Sequence, residues 1–111
     1  MRVDGELAMA VLPAACRIDF DRLEQLVGGS RRVEVVLDRE FAARFLGCER
    51  GALPPFGNLY GMNVYAARSL SEAPTISFYA GTRMRIVEMA YGDYDRLVRP
   101  RVGEFACRTA T

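Results

Sequence analysis

The segment of residues 47–57 contains two adjacent prolines, Pro54 and Pro55, together with three glycines. Proline fixes φ and lacks an N–H donor, whereas glycine tolerates positive φ, so this segment cannot be a helix or a central strand. We expect a stiff loop, which can hold main-chain N–H groups toward a ligand without losing much conformational entropy on binding. The candidate donors are those residues with an N–H: Gly51, Ala52, Leu53, Phe56 and Gly57. The alternative is a tight loop with a purely structural role.

All fifteen basic residues of the chain are arginine, and the sequence contains neither lysine nor histidine. Without an imidazole or a lysine amine, these common bases for proton transfer near neutral pH are missing. Ser–His and Cys–His dyads are therefore excluded, as are zinc sites that use histidine. The net charge is +1, so any contact with nucleic acid must depend on local charge rather than on a global basic field.

The three cysteines, Cys16, Cys48 and Cys107, are far apart in sequence and form no Cys-x-x-Cys pair. An odd number of isolated cysteines argues against a disulfide framework and predicts a reducing, cytoplasmic location. No apolar run approaches the roughly 18 residues that a membrane-spanning helix needs. We therefore expect no membrane contact, and no metal or other cofactor is implied.

The hydrophobic pattern predicts strands and helices that do not strictly alternate. Strands are expected at residues 7–12, 33–37, 63–66, 75–79 and 84–89, and helices at residues 19–27, 38–47 and 93–99. Residues 68–72 are expected to be a polar turn, and Gly81-Thr82 the turn of a hairpin. This mixture predicts an α/β (α+β) fold in residues 1–100, with helices packed on a mixed, curled sheet. Residues 101–111 are expected to be a C-terminal tail.

The loop sequence GALPPFG, with Gly51 and Pro55 in a Gly-x-x-x-Pro spacing, resembles the loop of the YbaK/prolyl-tRNA-synthetase-associated domain family. Members of that family are aminoacyl-tRNA deacylases that clear mischarged tRNA. Weaker similarity extends in the same order through residues 10–19, 61–65, 78–83 and 93–97, and spans residues 7–100 in all. The resemblance implies a curled sheet or small mixed β-barrel flanked by helices, and the aminoacylated 3′ end of tRNA as partner.

The resemblance also implies a set of site residues. The loop backbone at Gly51 and Pro55 would be catalytic, and substrate would be bound by Ala52, Leu53, Phe56, Gly57, Gly81, Thr82 and Arg83. The family commonly has a histidine where this chain has Arg83. That arginine either holds a phosphate or the terminal adenosine, or is a solvated surface charge. Arg85 is expected to face the same side as Arg83 in a strand.

Two departures from the family pattern affect the expected activity. The family often has an aspartate where this chain has Ala66 and Ala67, and it relies on a lysine just before the strand that matches residues 7–12. By this resemblance we expect the N-terminal part of the family domain to be missing, which would fit an internal start, a fragment or a degenerate copy. The expected function is hydrolysis of the ester of a small amino acid on mischarged tRNA. The alternatives are a non-catalytic tRNA- or aminoacyl-binding regulatory module and a structural fragment of a larger chain. With its expected neighbours missing, the strand at residues 7–12 is predicted at an exposed edge, which favours a homodimer or larger assembly.

Gly51→Val tests whether the loop binds ligand. A side chain at this position would block close approach of a ligand to the backbone, so we expect the variant to lose binding of a non-hydrolysable aminoacyl-adenosine while unfolding at nearly the wild-type temperature. Pro55→Ala should loosen the loop and weaken binding by a smaller factor. Calorimetric titration beside a thermal melt measures both effects. A folded Gly51→Val protein that binds like wild type would show that the loop is only structural.

Overall fold

The computed structural model describes residues 1–28, 33–34, 36, 38–45, 47–49 and 52–108, with Asp38 described by its backbone alone. The strands are β1 (Arg2–Val3), β2 (Glu6–Val11), β3 (Cys16–Ile18), β4 (Val33–Glu34), β5 (Asn63–Ala67), β6 (Thr75–Tyr79), β7 (Ile86–Ala90), β8 (Arg101–Gly103) and β9 (Ala106–Arg108). The helices are α1 (Phe20–Val27), α2 (Asp38–Ala42), α3 (Arg68–Ser71) and α4 (Tyr91–Val98), with a short 3-10 helix at Gly57–Tyr60.

Five strands form the main sheet in the order β4-β1-β2-β5-β8. Strand β5 runs parallel to both β2 and β8, whereas β1 is antiparallel to β2 and β4. Two antiparallel pairs, β3-β9 and β6-β7, stand beside this sheet. The predicted mixed sheet with flanking helices is confirmed, and no strand pairing within the described ranges closes the sheet into a barrel.

Both faces of the main sheet are buried. Met9 and Val64, which lie opposite each other on β2 and β5, belong to a cluster with Phe45 and residues of α4. Their neighbours Ala8 and Tyr65 point to the other face, where they join a cluster that contains α1 and Phe105. Successive side chains of a strand point to opposite faces, so the same two strands supply both clusters.

Helix α1 has the boundaries that its sequence predicts. Asp19 lies just before the helix, and its carboxylate accepts a hydrogen bond from the Arg22 N–H at 3.2 Å. Gly28 ends the helix with a φ of 119°, a conformation that glycine adopts with little strain. Leu23 and Val27 are buried against the sheet.

The strand predicted at an exposed edge lies instead in the middle of the sheet. Asp4 and Gly5 have φ values of 50° and 86°, and Val3 pairs with Glu6 across this two-residue turn. An Asp-Gly pair favours such a turn because the hairpin geometry requires positive φ at both positions. The chain therefore folds β1 back onto β2 and covers the edge, so this argument for dimerisation is wrong.

Four other elements differ from their predicted bounds. Residues 68–72, predicted as a polar turn, contain the one-turn helix α3. Met84 and Arg85 belong to the turn between β6 and β7 and not to a strand, so Arg85 does not share a strand face with Arg83. Helix α4 begins at Tyr91 rather than at residue 93, and α2 ends at Ala42 rather than near Gly47. These segments are short, and periodicity over one turn fixes no boundary. Residues 35, 37 and 46 of the predicted elements lie outside the described residues.

The sequence pattern predicts a tail from residue 101 onward, but residues 101–108 remain part of the fold. Strand β8 pairs in parallel with β5, and β9 pairs with β3. Between them, Phe105 is 0% exposed, and its carbonyl accepts a hydrogen bond from the Asp19 N–H at 2.6 Å. These strands have three residues each and include arginines, so they show no apolar run by which they could be recognised.

Phe105→Ala is expected to lower the free energy of unfolding by about 3–5 kcal/mol, because truncation of a buried aromatic ring leaves a cavity. Urea unfolding followed by circular dichroism measures the change. Leu97→Ala is the matched control, since Leu97 is 63% exposed and should shift stability by less than about 1 kcal/mol. Equal, small effects for the two variants would mean that residues 101–108 add little to stability.

Candidate functional site

The second half of the proline loop is fixed to the sheet and to α4. The Tyr94 hydroxyl donates a buried hydrogen bond of 2.6 Å to the Pro55 carbonyl. The Phe56 ring packs edge-on against the rings of Tyr94 and Phe78, with centroids 5.4 and 5.6 Å away. Gly57 sits so close to β2 that an added Cβ would lie 3.1 Å from the Met9 Cβ. Contacts with α4, with β6 and with β2 therefore fix the loop backbone at residues 55–57.

The start of the loop pairs with the turn of the β6-β7 hairpin. The Gly81 N–H donates to the Ala52 carbonyl at 2.9 Å, and the Glu49 N–H donates to the Gly81 carbonyl at 2.7 Å. The Ala52 N–H donates to the Glu49 carbonyl at 3.1 Å, so it is already satisfied. Ala52 itself is buried. Gly81 has a φ of 90°, and a Cβ there would lie 3.2 Å from the Cys48 sulfur.

The carboxylate of Glu49 connects the loop to the hairpin turn. It accepts hydrogen bonds from the Thr82 hydroxyl at 3.0 Å and from the Arg83 N–H at 3.2 Å. The Thr82 hydroxyl also accepts from the Met84 N–H at 3.2 Å. Hydrogen bonds to an ionised carboxylate are stronger than those between neutral groups. Glu49 therefore joins the loop to the hairpin turn. The sequence does not indicate this role, because no local pattern distinguishes this glutamate from other surface acids.

A cavity of about 350 Å³ opens beside this loop. Its walls come from residues 11–14 at the end of β2, from Leu53 and Pro55 of the loop, from Leu70 of α3, and from Ile76, Ser77, Phe78, Tyr79 and Ile86 of the hairpin. No charged side chain is among these lining residues, and Ser77 and Tyr79 supply the hydroxyl groups. The cavity is thus predominantly apolar. We call it the apolar pocket.

The apolar pocket lies at the carboxyl ends of the parallel strands β2 and β5. Residues 11–14 continue directly from β2, and Leu70 belongs to the helix that follows β5. Ligands of open α/β sheets bind at this end of parallel strands. That rule could have indicated residues 11–14 and Leu70 from sequence, but only if the parallel pairing of β2 with β5 had been known.

Leu53 belongs to the described part of the loop and lines the pocket. Among the described residues, no hydrogen-bond acceptor is paired with the Leu53 N–H. An unpaired main-chain N–H at a pocket wall can donate a hydrogen bond to a ligand oxygen.

Residues 1–97 match the family described as the aminoacyl-tRNA editing domain. The chain belongs to this family. The match covers most of the chain and confirms the resemblance that the proline loop indicates. No curated protein matches the sequence significantly.

Two solved structures resemble this editing domain in fold. A putative signal transduction protein from Marinobacter aquaeolei VT8 aligns with 87% of this chain and 21% of its own length, with a TM-score of 0.69 and 18% identity. Hypothetical protein APE2540 aligns with 95% of this chain and 70% of its own length, with a TM-score of 0.74 and 16% identity. The editing domain therefore spans about a fifth of the first relative. At these identities the similarity concerns the fold alone.

The structure distributes the predicted site residues over three places. Leu53 and Pro55 line the apolar pocket, whereas Ala52, Phe56 and Gly57 hold the loop in position. Gly81, Thr82 and Arg83 are hydrogen-bonded to Glu49 or Ala52 and are not among the residues that line the pocket. Gly51 lies outside the described residues.

The described ranges contain no group of three or more His, Cys, Asp or Glu residues that could hold a metal ion. Cys16, Cys48 and Cys107 are free thiols. No helix in the same ranges is long and apolar enough to cross a bilayer.

Tyr94→Phe is expected to destabilise the editing domain by about 1–3 kcal/mol, because it leaves the buried Pro55 carbonyl without its donor. Urea unfolding measures the loss. Tyr91→Phe is the matched control on the same helix. The buried Tyr91 hydroxyl has no hydrogen-bond partner among the described residues, so its removal should be neutral or stabilising. A neutral Tyr94→Phe variant would show that this hydrogen bond does not hold the loop.

The Tyr94→Phe variant also tests how stability depends on pH. Burial, followed by proximity to Tyr91, raises the pKa of Tyr94 above its ordinary value of 10.0. A raised pKa of a tyrosine in the folded state means that stability is fully present below pH 10 and declines above it, as the unfolded chain ionises first. Tyr94→Phe should therefore weaken the decline in unfolding free energy above pH 10, measured by urea unfolding between pH 8 and pH 11.

Proposed function

We propose that the apolar pocket receives the aminoacyl group at the 3′ end of a mischarged tRNA and that the editing domain hydrolyses the ester. The family supports aminoacyl-tRNA editing in general. The observation that carries the proposal is the cavity of about 350 Å³ with Leu53 and Pro55 of the proline loop in its wall. This volume is at the small end of the range for ligand sites, about 300–1,000 Å³. It suits an aminoacyl group rather than a large ligand.

The lining favours a small, uncharged amino acid. A charged side chain transferred into this pocket would lose its hydration without an ion-pair partner among the lining residues, at a cost of several kcal/mol. An alanyl or cysteinyl group would meet apolar walls from Leu70, Ile76 and Phe78. The pocket would therefore discriminate against charged amino acids through desolvation.

Main-chain groups and the substrate would do most of the chemistry. Water attacks the ester carbonyl, an oxyanion forms, and the ribose oxygen leaves with a proton. The Leu53 N–H would stabilise the oxyanion, and the resemblance assigns the same kind of role to the backbone at Gly51 and Pro55. No lysine or histidine exists in the chain, and no carboxylate or thiol is among the residues that line the pocket. A hydroxyl of the substrate's own ribose can assist proton transfer, as can the Ser77 and Tyr79 hydroxyls of the lining.

The remaining predicted residues have supporting roles in this proposal. Ala52, Phe56 and Gly57 keep the loop backbone in place, and Gly81 and Thr82 hold the hairpin turn against it. Arg83 would contact the tRNA end. We also propose a cytoplasmic location, because the three cysteines are free thiols. Self-association would involve the exposed apolar side chains of the hairpin, Met84 and Ile86.

A non-catalytic binding module is the second candidate. The lack of a carboxylate, thiol or guanidinium group among the described residues of the pocket lining favours it, since general acid–base catalysis typically contributes a factor of about 10²–10⁴. Such a module would bind aminoacyl-tRNA in the same pocket and release it without hydrolysis.

Ester loss from Ala-tRNA and Cys-tRNA measures the activity directly. We expect hydrolysis above the spontaneous rate but slower than about 1 per second, a low value for an enzyme, and no acceleration for Asp-tRNA or Lys-tRNA. Ala14→Phe, which places a ring at the pocket wall, should abolish the acceleration, whereas Ala43→Phe, at an exposed site after α2, should not. Binding without hydrolysis would establish the second candidate. Absence of both binding and hydrolysis for all four tRNAs would refute both.

A further inference from the structure

A second cavity, of about 340 Å³, lies at the opposite end of the parallel strands from the apolar pocket. It is lined by the first residues of β5, by Arg101 at the start of β8, by Arg99 just after α4, and by Asn58 of the 3-10 helix. Strands β5 and β8 are parallel, so these residues meet at the amino ends of both strands. The two cavities therefore open at opposite ends of the parallel strands β2 and β5. We call this cavity the arginine pocket.

The charged side chains that line the arginine pocket are all positive. Arg99 and Arg101 are its charged members, and no Asp or Glu is among the lining residues. Asn58 and Asn63 add amide groups. Four other arginines are paired with acids, in Arg2–Glu40, Arg22–Asp19, Arg68–Glu104 and Arg96–Asp93. In the described part of the chain neither Arg99 nor Arg101 has an acidic partner.

The backbone that carries the two arginines is fixed. The Arg99 N–H donates to the Asp95 carbonyl at 2.8 Å, the ring of Pro100 fixes the φ angle of that residue, and Arg101 pairs with Tyr65 in the sheet. The Asn58 side-chain amide donates to the Leu97 carbonyl at 3.2 Å and joins the 3-10 helix to the end of α4. Both guanidinium groups therefore start from a rigid base, which reduces the entropy lost on binding.

Arg99 has a conformation that local preferences disfavour. Its φ is 51°, a region where glycine or asparagine is usual at the end of a helix, and it precedes a proline, which disfavours helical φ and ψ. Strained residues of this kind concentrate at ligand sites. Arg99 therefore places a full positive charge at a position where a glycine would be less strained.

We propose that the arginine pocket binds a phosphate group. Planar guanidinium groups pair with phosphate oxygens through two parallel hydrogen bonds, and the asparagine amides can donate to the same anion. The carboxyl end of α4 points toward this region and carries about half a negative charge. That charge is smaller than the two positive charges of Arg99 and Arg101, and the Asp95 and Leu97 carbonyls are already satisfied. The site therefore remains attractive to an anion.

The phosphate can belong to an RNA backbone or to a small phosphorylated molecule. The RNA source rests on the proposed function, because it would add a contact to tRNA away from the ester. The small-molecule source does not depend on it. The two pockets lie at opposite ends of the strands, so a variant in the arginine pocket should not change which aminoacyl ester the apolar pocket accepts. Failure of this inference can therefore be distinguished from failure of the proposed function.

The first test is a titration of ¹⁵N-labelled wild-type protein with inorganic phosphate at constant ionic strength. We expect saturable shifts of the Asn63, Tyr65 and Arg101 amide signals. The double variant Arg99→Gln/Arg101→Gln should lose the saturation. Arg17→Gln/Arg108→Gln, with the same charge change at exposed positions of the β3-β9 pair, should keep it. A wild-type protein without saturable shifts at these amides would overturn the proposal, and this result does not depend on how the variants fold.

The second test identifies the source of the phosphate. Fluorescence anisotropy of labelled uncharged tRNA, measured over a series of salt concentrations, gives the dependence of affinity on salt. Loss of two phosphate contacts should reduce the slope of log K against log salt by roughly 1.4–1.8 in the Arg99/Arg101 variant, and by less in the Arg17/Arg108 variant. Equal slopes for the two variants, with phosphate binding intact in wild type, would support the pocket as a site for a small phosphorylated ligand and reject the RNA source.

Discussion

The parallel pairing of β2 with β5 is the constraint on which the other parts of the structure depend. Parallel neighbours cannot be joined by a tight turn, so the chain must cross over between them. The crossover from Val11 to Asn63 contains α1, β4, α2 and the proline loop. Side chains of β2 and β5 alternate between the two faces and supply both hydrophobic clusters. The carboxyl ends of the two strands border the apolar pocket, and the amino end of β5 borders the arginine pocket.

The absence of lysine and histidine gives the editing domain an unusual set of ionisable side chains. Its cations are arginines, whose guanidinium groups keep their proton at all physiological pH values. Among the described residues, no carboxylate lines the apolar pocket. Binding can therefore use strong, permanent positive charge, whereas the proposed proton transfer in the pocket would use hydroxyl groups, water and the substrate. This division fits a site where positioning contributes more than acid–base catalysis.

Local signals in the sequence were sufficient for several elements. Asp19 and Gly28 mark the ends of α1 because capping depends on residues within one turn. The β6-β7 hairpin and the stiff loop at Pro54 and Pro55 follow from the same kind of local chemistry. The Asp4-Gly5 turn is also local, but its first strand has only two residues, so it shows no alternation.

The other features depend on contacts between residues far apart in sequence. Strand β8 is recognisable only through its pairing with β5, and Glu49 acquires its role only when the hairpin turn reaches it. The walls of the apolar pocket come from four segments of the chain. Sequence patterns indicate the loop as a site because Gly51 and Pro55 are close together, and they miss residues 11–14 and Leu70 because these become neighbours through the parallel pairing.

The pairing of β3 with β9 affects the order in which the fold can form. Arg17 and Cys107 are opposite each other in this pair and are 90 residues apart. At about 5–20 residues per second of synthesis, roughly five to twenty seconds separate the appearance of the two strands. During this interval α1 and the face of the main sheet that carries Ala8 and Tyr65 lack Phe105, which belongs to the same hydrophobic cluster. The nascent chain therefore exposes this apolar surface until β9 emerges from the ribosome, and formation of the β3-β9 pair should be slow because contacts of this separation close late.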